Sequence, residues 1–343
     1  MARATKYNKL TSPELLARVN PENLQLMEEF LAYLRSMRHS KGTINGYRND
    51  LRILFVYVMQ NCQNKHFTKL TKRELIGFQN WLLNDNENSP ARIRRIKSAI
   101  SSLGNYVEDI LDDEYEGYRS PIKKIKSPSI RAVRAKTVWE DQELEDLLQA
   151  LTDTRQYEKA CVLALAIYSG RRKSELLRFK VHYFDDENVV YGSLYRTPEP
   201  IQTKGTGGGK MLTCYTLRNK FKPYLDAWLA ERKELGIESE WLFPNLRDPS
   251  QPLPVSTLDS WARQFSVMTN KPCYFHSFRH KFVTELSRSG LPDGVITKIV
   301  GWDDPSMCQV YNDREIDEEL SQYFDENGIK TQAPPDLSTL SAG

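Results

Sequence analysis

The fold is decided by residues 276–311, HSFRHKFVTELSRSGLPDGVITKIVGWDDPSMCQVY. His276 and Arg279 stand three residues apart, so on a helix both side chains leave from one face. Phe278, Phe282 and Leu286 recur at four-residue steps and give that helix a neighbouring apolar stripe. Gly290 predicts its end, and Leu291-Pro292-Asp293 predicts the start of the next helix. Asp304-Pro305 reads as an N-cap followed by proline at the first helical position. Tyr311 therefore falls near the end of a short helix, displayed rather than built into a long one.

Working outward, 343 residues are enough for two domains, each with its own core. A hydrophobic content of 40% and a charged content of 27% are ordinary for a globular protein. No apolar run approaches membrane-spanning length, and MARATKYNKL at the start lacks a signal-peptide core. The expected location is the cytoplasm. The five cysteines, Cys62, Cys161, Cys214, Cys273 and Cys308, are scattered without metal-ligand spacing, which predicts reduced thiols.

Net charge is only +3, but its distribution is uneven. Residues 1–136 hold 24 Lys/Arg against 14 Asp/Glu, and the remainder holds 24 against 31. Asp313, Glu315, Asp317, Glu318, Glu319, Asp325 and Glu326 crowd one acidic stretch. The basic half suits a phosphate-contacting surface, although a solvated lysine-rich face would look the same.

Residues 1–20 read as a basic arm, poorly ordered without a partner. Four amphipathic helices follow within 21–116 and predict a compact bundle. The first begins after Asn20-Pro21-Glu22 and the second is capped by Thr43, with Arg48 and Arg52 one turn apart. The third is capped by Thr71. The fourth starts near Pro90 and carries Arg92, Arg94, Arg95 and Lys97. Four cations in six residues repel unless something negative lies opposite, which favours a DNA-facing surface. Residues 117–136 form a linker with seven Lys/Arg, among them Lys123, Lys124 and Lys126, and no acid. Such a segment is expected to stay off its own domain and to lie along a duplex.

The second domain, 137–326, opens with a helix over 143–151 and then KACVLALAIYSGRRKSELLRF. That helix is apolar on nearly every face and so runs through the domain centre. Gly170 ends it and delivers Arg171 and Arg172 at the turn. Strands are predicted over 188–194, up to Thr203, and over 211–217. Between the last two lies a glycine-rich hairpin with Lys204 and Lys210 at its ends. Helices follow around Tyr224–Leu229 and over 256–265, with a short buried turn at Trp241–Pro244 between them. After Tyr311 an acidic amphipathic helix with Ile316, Leu320, Tyr323 and Phe324 is expected, then a tail, 327–343, of disordered composition. The fold class is mostly α with a small antiparallel sheet.

The candidate chemistry rests on Arg172, Arg279, His276, Lys204 and Tyr311. No carboxylate cluster, zinc spacing or Walker loop accompanies them, so the expected chemistry uses no metal and no cofactor. Two arginines can hold the non-bridging oxygens of a phosphodiester and neutralise a five-coordinate transition state. A phenol, with a pKa of about 10, becomes a nucleophile when arginines stabilise its anion and a histidine takes its proton. A hairpin lysine can protonate the leaving 5′-oxygen. Each residue alone has a bland explanation; their order and spacing tip the balance.

That order resembles the tyrosine recombinases, the family of phage integrases, Xer and Cre-like enzymes. Gly170-Arg171-Arg172-Lys173-Ser174-Glu175-Leu176 matches the family's G-x-R-x-x-E-L box, which makes Arg172 the first catalytic arginine and Glu175 a supporting residue. His276-Ser277-Phe278-Arg279-His280 matches H-x-x-R-H, with His280 supporting. Gly301, Trp302 and Tyr311 match the third box, with tryptophan where histidine is commoner. Lys204 maps onto the hairpin lysine, with Lys210 as a rival. The stretch KGTINGYRNDL is similar to the second helix of the family's SAM-like core-binding domain. The resemblance implies a C-shaped, two-domain clamp on double-stranded DNA with paired sites. It implies a 3′-phosphotyrosine on Tyr311, a Holliday junction, and a homotetramer exchanging C-terminal helices, with accessory proteins in some systems. It implies no membrane. Two competing readings are a type IB topoisomerase, which shares the chemistry, and a DNA-binding regulator using 276–311 as a helix-turn-helix.

Overall fold

The computed structural model describes residues 10–129, 137–203 and 209–311, together with two short strands at 324–325 and 328–329. The described chain divides into two units, one N-terminal and one that begins after the linker.

The N-terminal unit is helical. α1 (Pro13–Leu16), α2 (Pro21–Ser36), α3 (Lys41–Asn61), α4 (Lys72–Asn80) and α5 (Pro90–Asp109) surround one core. Each start is written locally. Asn20 accepts a bond from the Glu22 amide, Thr71 and Glu74 form a reciprocal capping box, and Ser89 accepts from the Arg92 amide ahead of Pro90. α3 differs from expectation: its cap is Ser40, whose hydroxyl accepts from the Thr43 amide, so the helix starts before Thr43. The last turn of the third helix continues in π form over Trp81–Asp85.

Two expectations are corrected here. The described part of the arm, from residue 10, is built in: Val19 is buried and Asn64 bonds both the Asn20 amide and the Arg18 carbonyl. The first half of the linker also packs against its own unit. Ile122 and Ile125 join the helical core, and Lys97 donates to the Ile125 carbonyl. Two apolar side chains three residues apart outweigh the surrounding charge, because the lysines between them keep their ammonium groups in water.

In the second unit α6 (Asp141–Asp153) and α9 (Arg218–Glu234) flank α7 (Tyr157–Ser169), which is buried almost throughout. α8 (Lys173–Leu176) follows at the turn. β1 (Val189–Val190), β2 (Leu194–Arg196) and β5 (Tyr215–Leu217) form an antiparallel sheet in the order β1-β2-β5, and β3 (Ile201–Gln202) pairs with β4 (Met211–Leu212). The strand expected over 188–194 is a hairpin instead. Tyr191 and Gly192 both take positive φ, 53° and 67°, and turn the chain back. A further hairpin, β6 (Pro244–Asn245) with β7 (Asp248–Pro252), follows the buried Leu242 and Phe243.

α10 (Val255–Met268), α11 (Phe275–Arg288), α12 (Asp293–Val300) and α13 (Met307–Tyr311) complete the unit. Phe282, Val283, Ile296, Val300, Trp302 and Cys308 make a small separate core that fixes α12 and α13 against α11. Asp304 caps the turn before α13, accepting from the Ser306 amide at 2.9 Å, so the helix begins two residues later than Pro305 suggests. The acidic helix expected through Ile316, Leu320 and Tyr323 lies outside the described residues. Its last position, Phe324, stands in a strand, β8 (Phe324–Asp325), paired with β9 (Gly328–Ile329). No helix among the described residues is long and apolar enough to cross a membrane.

Candidate active site

The site is assembled at the C-terminal end of α7. Gly170 takes φ 62°, and a Cβ there would stand 2.3 Å from Phe282 Cδ1. Only glycine lets the chain reverse while α11 lies this close. The reversal sets Arg172 at the start of α8. Glu175 is buried and accepts from both the Arg172 amide, at 3.1 Å, and the Arg172 guanidinium, at 2.9 Å. The pair fixes Arg172 with one face toward solvent.

α11 contributes His276, Arg279 and His280. Arg279 is fully buried. Its Nη1 donates to the Gly170 carbonyl at 2.8 Å and its Nη2 to the Val300 carbonyl at 3.0 Å. These carbonyls end α7 and α12, so a cation is favoured there by the partial negative charge of both helix ends. The Trp302 ring lies 5.3 Å from the guanidinium. The His276 and His280 rings are 5.4 Å apart and nearly perpendicular. Desolvation, then repulsion from His280, Arg279 and Arg172, pushes the His276 imidazole down to about 4. His276 stays exposed at the cleft, and the downward shift favours the neutral imidazole that a proton acceptor needs.

Arg172 and His276 line one cleft of about 600 Å³, which Arg263, Lys173 and Tyr274 also border. Gly301 repeats the device of Gly170, with φ 80° and only 2.3 Å between a would-be Cβ and Leu212 Cδ2. It turns α12 toward α13, and Tyr311 is the last described residue of that helix. Buried Cys308 anchors α13, its thiol 3.5 Å from the Thr297 hydroxyl.

Residues 138–318 match the model of the phage integrase family, and residues 26–116 match that of the phage integrase N-terminal SAM-like domain. The chain belongs to the phage integrase family. It is a tyrosine-type site-specific recombinase, with the two-part architecture expected from its three boxes. The SPbeta prophage-derived recombinase-like protein YomM of Bacillus subtilis (strain 168) is 28% identical over 338 residues, covering 94% of this chain and 96% of that one. A tyrosine recombinase of Thermosipho africanus (strain TCF52B) is 25% identical over 84% of this chain and 93% of its own length. A lambda integrase tetramer solved on a Holliday junction superposes with a TM-score of 0.60 at 16% identity, over 85% of this chain and 78% of that one. At that identity the likeness concerns the fold.

Of the recombinase residues read from sequence, Arg172, Glu175, His276, Arg279, His280 and Trp302 gather at one place in the second unit. Lys204 lies outside the described residues, while its rival Lys210 is described and exposed beyond the β3–β4 ladder. The basic residues of the first unit are more engaged than their spacing suggests. Arg92 and Arg95 both pair with the buried carboxylate of Asp50, and Arg48 is held bidentately by Glu28. Arg94 donates to the Pro128 carbonyl, and Lys123 pairs with Glu108. Lys124 and Lys126 are exposed, and Arg52 is half-buried. The negative group opposite the cation cluster is therefore, in part, Asp50. Sequence reading passed over Arg263 and Tyr274, which have no motif to mark them, and set Arg171 aside as the variable position of its box.

Proposed function

We propose that this recombinase cuts and rejoins DNA strands through a 3′-phosphotyrosine on Tyr311, without metal or ATP. The observation that carries the reading is the meeting of Arg172, His276 and Arg279 at the turn after α7, in the unit whose helix α13 carries Tyr311. Arg172, at the cleft, holds a non-bridging oxygen of the scissile phosphate. Arg279, buried behind it, turns a guanidinium edge to the phosphate once DNA is bound, so that both oppose the charge of the five-coordinate transition state. The Tyr311 oxygen attacks phosphorus as the neutral His276 takes the phenol proton. The bond to the 5′-oxygen breaks, and Lys204 protonates that oxygen. The phosphate stays esterified to tyrosine, so its bond energy is kept for a second 5′-hydroxyl. Trp302 keeps Arg279 in place by stacking and cannot itself shuttle a proton.

The reading extends to assembly. Two protomers occupy each of two paired sites, four in all, and strand exchange passes through a Holliday junction. The N-terminal unit adds contacts to the same duplex, and the segment after Tyr311 reaches a neighbouring copy. The lambda integrase tetramer on a Holliday junction supports this by fold, and the relationship to a prophage-derived protein supports a mobile element as the setting, acting in the cytoplasm. Accessory proteins, where used, bias direction.

The test is covalent capture. Sheared genomic DNA from the source strain is incubated with the protein, trapped adducts are digested with protease, and the tagged 3′-ends are sequenced. Recurrent ends at one short site support the reading. Absence of any protein-linked end contradicts it.

A further inference from the structure

The site contains a third arginine that the reaction just described does not use. Arg171 is fully buried, among the largest side chains in the interior. Its Nε donates to the Ser169 carbonyl at 3.0 Å, its Nη2 to the Ile299 carbonyl at 2.6 Å, and its Nη1 to the Cys214 thiol at 3.6 Å. Among the described residues its charge is held by helix-end carbonyls rather than by a carboxylate. Burying a guanidinium costs several kcal/mol unless its donors are met, and an apolar side chain of similar volume would fill the space at lower cost.

Set beside Arg279, these bonds form a pattern. Arg171 links Ser169 to Ile299, and Arg279 links Gly170 to Val300. Two successive carbonyls at the end of α7 are thus joined to two successive carbonyls at the end of α12 by two parallel guanidinium rungs. The last residues of α12 lead directly to Gly301, Trp302 and the helix of Tyr311. Without the Arg171 rung, the whole link would fall to Arg279, the residue that must also face a phosphate.

We propose that Arg171 is a positioning residue for strand cleavage. It ties the arginine turn to the end of α12, and so fixes both the plane of the Arg279 guanidinium and the approach of the helix that carries Tyr311. The inference rests on the phosphotyrosine reading given above.

The experiment uses the full-length protein with Arg171→Met, which keeps volume and removes the rung, and Arg171→Lys, which keeps charge and can reach one carbonyl. The substrate is a nicked duplex built on the site captured by the wild type, at saturating enzyme and at a temperature below the melting point of every variant. The single-turnover rate of adduct formation is expected to fall about tenfold to a hundredfold in Arg171→Met, the scale of a displacement of about 1 Å. Final adduct yield and half-saturating DNA stay unchanged, and Arg171→Lys recovers part of the rate. Hydrogen exchange without DNA should rise locally at 299–311. A merely structural role would lower the yield and raise exchange throughout the unit, leaving the rate of the folded fraction intact. A wild-type rate in Arg171→Met overturns the inference and leaves the phosphotyrosine reading standing. Failure of both variants to fold makes Arg171 a stability residue and also overturns it. A wild-type protein that forms no adduct removes the phosphotyrosine reading and this inference with it.

Discussion

The Arg279 guanidinium stacks on Trp302 at 5.3 Å while two of its nitrogens hold the carbonyls of Gly170 and Val300. The second and third boxes are thereby one physical unit. If stacking is what Trp302 supplies, Trp302→Phe keeps the cleavage rate within about fivefold, because a cation over an aromatic face is worth roughly 0.5–2 kcal/mol and phenylalanine retains part of it. Trp302→Ala, which also opens a cavity, should lose more than tenfold and melt at lower temperature. Single-turnover cleavage beside thermal denaturation separates the two effects.

His276 is held neutral down to about 4 by burial and by the cations and His280 around it. Its folded value lies below the usual histidine value of about 6.5, so the folded state binds fewer protons between those limits. Stability tied to this group is therefore complete above about 6.5 and declines as pH falls toward 4. In the folded protein its ring resonances should titrate near 4 in a two-dimensional NMR series, and Arg279→Ala should raise that midpoint. A midpoint near 6.5 would contradict the depression expected from burial and the neighbouring cations.

Gly170 has no substitute. Alanine would meet a left-handed φ of 62° and the Phe282 ring at 2.3 Å. Strain and overpacking together should cost about 2–4 kcal/mol, read as a fall in denaturation midpoint. Gly192 has positive φ but open space around it, so Gly192→Ala should cost about 1 kcal/mol and leave the site intact.

In the first unit, DNA affinity should depend on which cations are already spoken for. Arg95 makes only a 3.6 Å contact with Asp50 and keeps a largely exposed side chain, whereas Arg48 is clasped bidentately by Glu28. Replacing Arg95 with alanine should lower the salt dependence of binding by about 0.9 in log–log slope, the loss of one phosphate contact. Arg48→Ala should change that slope little. Fluorescence anisotropy across a salt series on one duplex distinguishes them.

Much of this was legible in the sequence because short-range chemistry wrote it. Asn20, Thr71 and Pro90 announce helices, and Gly170 announces the turn that builds the site. What stayed hidden depended on distant partners. The basic run of α5 looked unopposed because its acid, Asp50, lies on α3. Ile122 and Ile125 were masked by the charges around them, although both enter the core. Tyr191 gave no turn signal, since tyrosine rarely accepts positive φ. Arg171 read as a mere neighbour of Arg172; its bonds to Ser169 and Ile299 exist only once α12 folds back.

The central claim is that Tyr311 takes the DNA 3′-phosphate. Mass spectrometry of the trapped, nuclease-trimmed adduct locates the attached residue, with Tyr311→Phe run in parallel. The account predicts a nucleotide on the peptide containing Tyr311 in the wild type, and in Tyr311→Phe unchanged DNA affinity with no adduct. An adduct on another residue, or one that survives Tyr311→Phe, would contradict it. Wild-type protein that binds its site without any adduct or exchange, and Tyr311→Phe that behaves identically, would instead favour a DNA-binding role for 276–311.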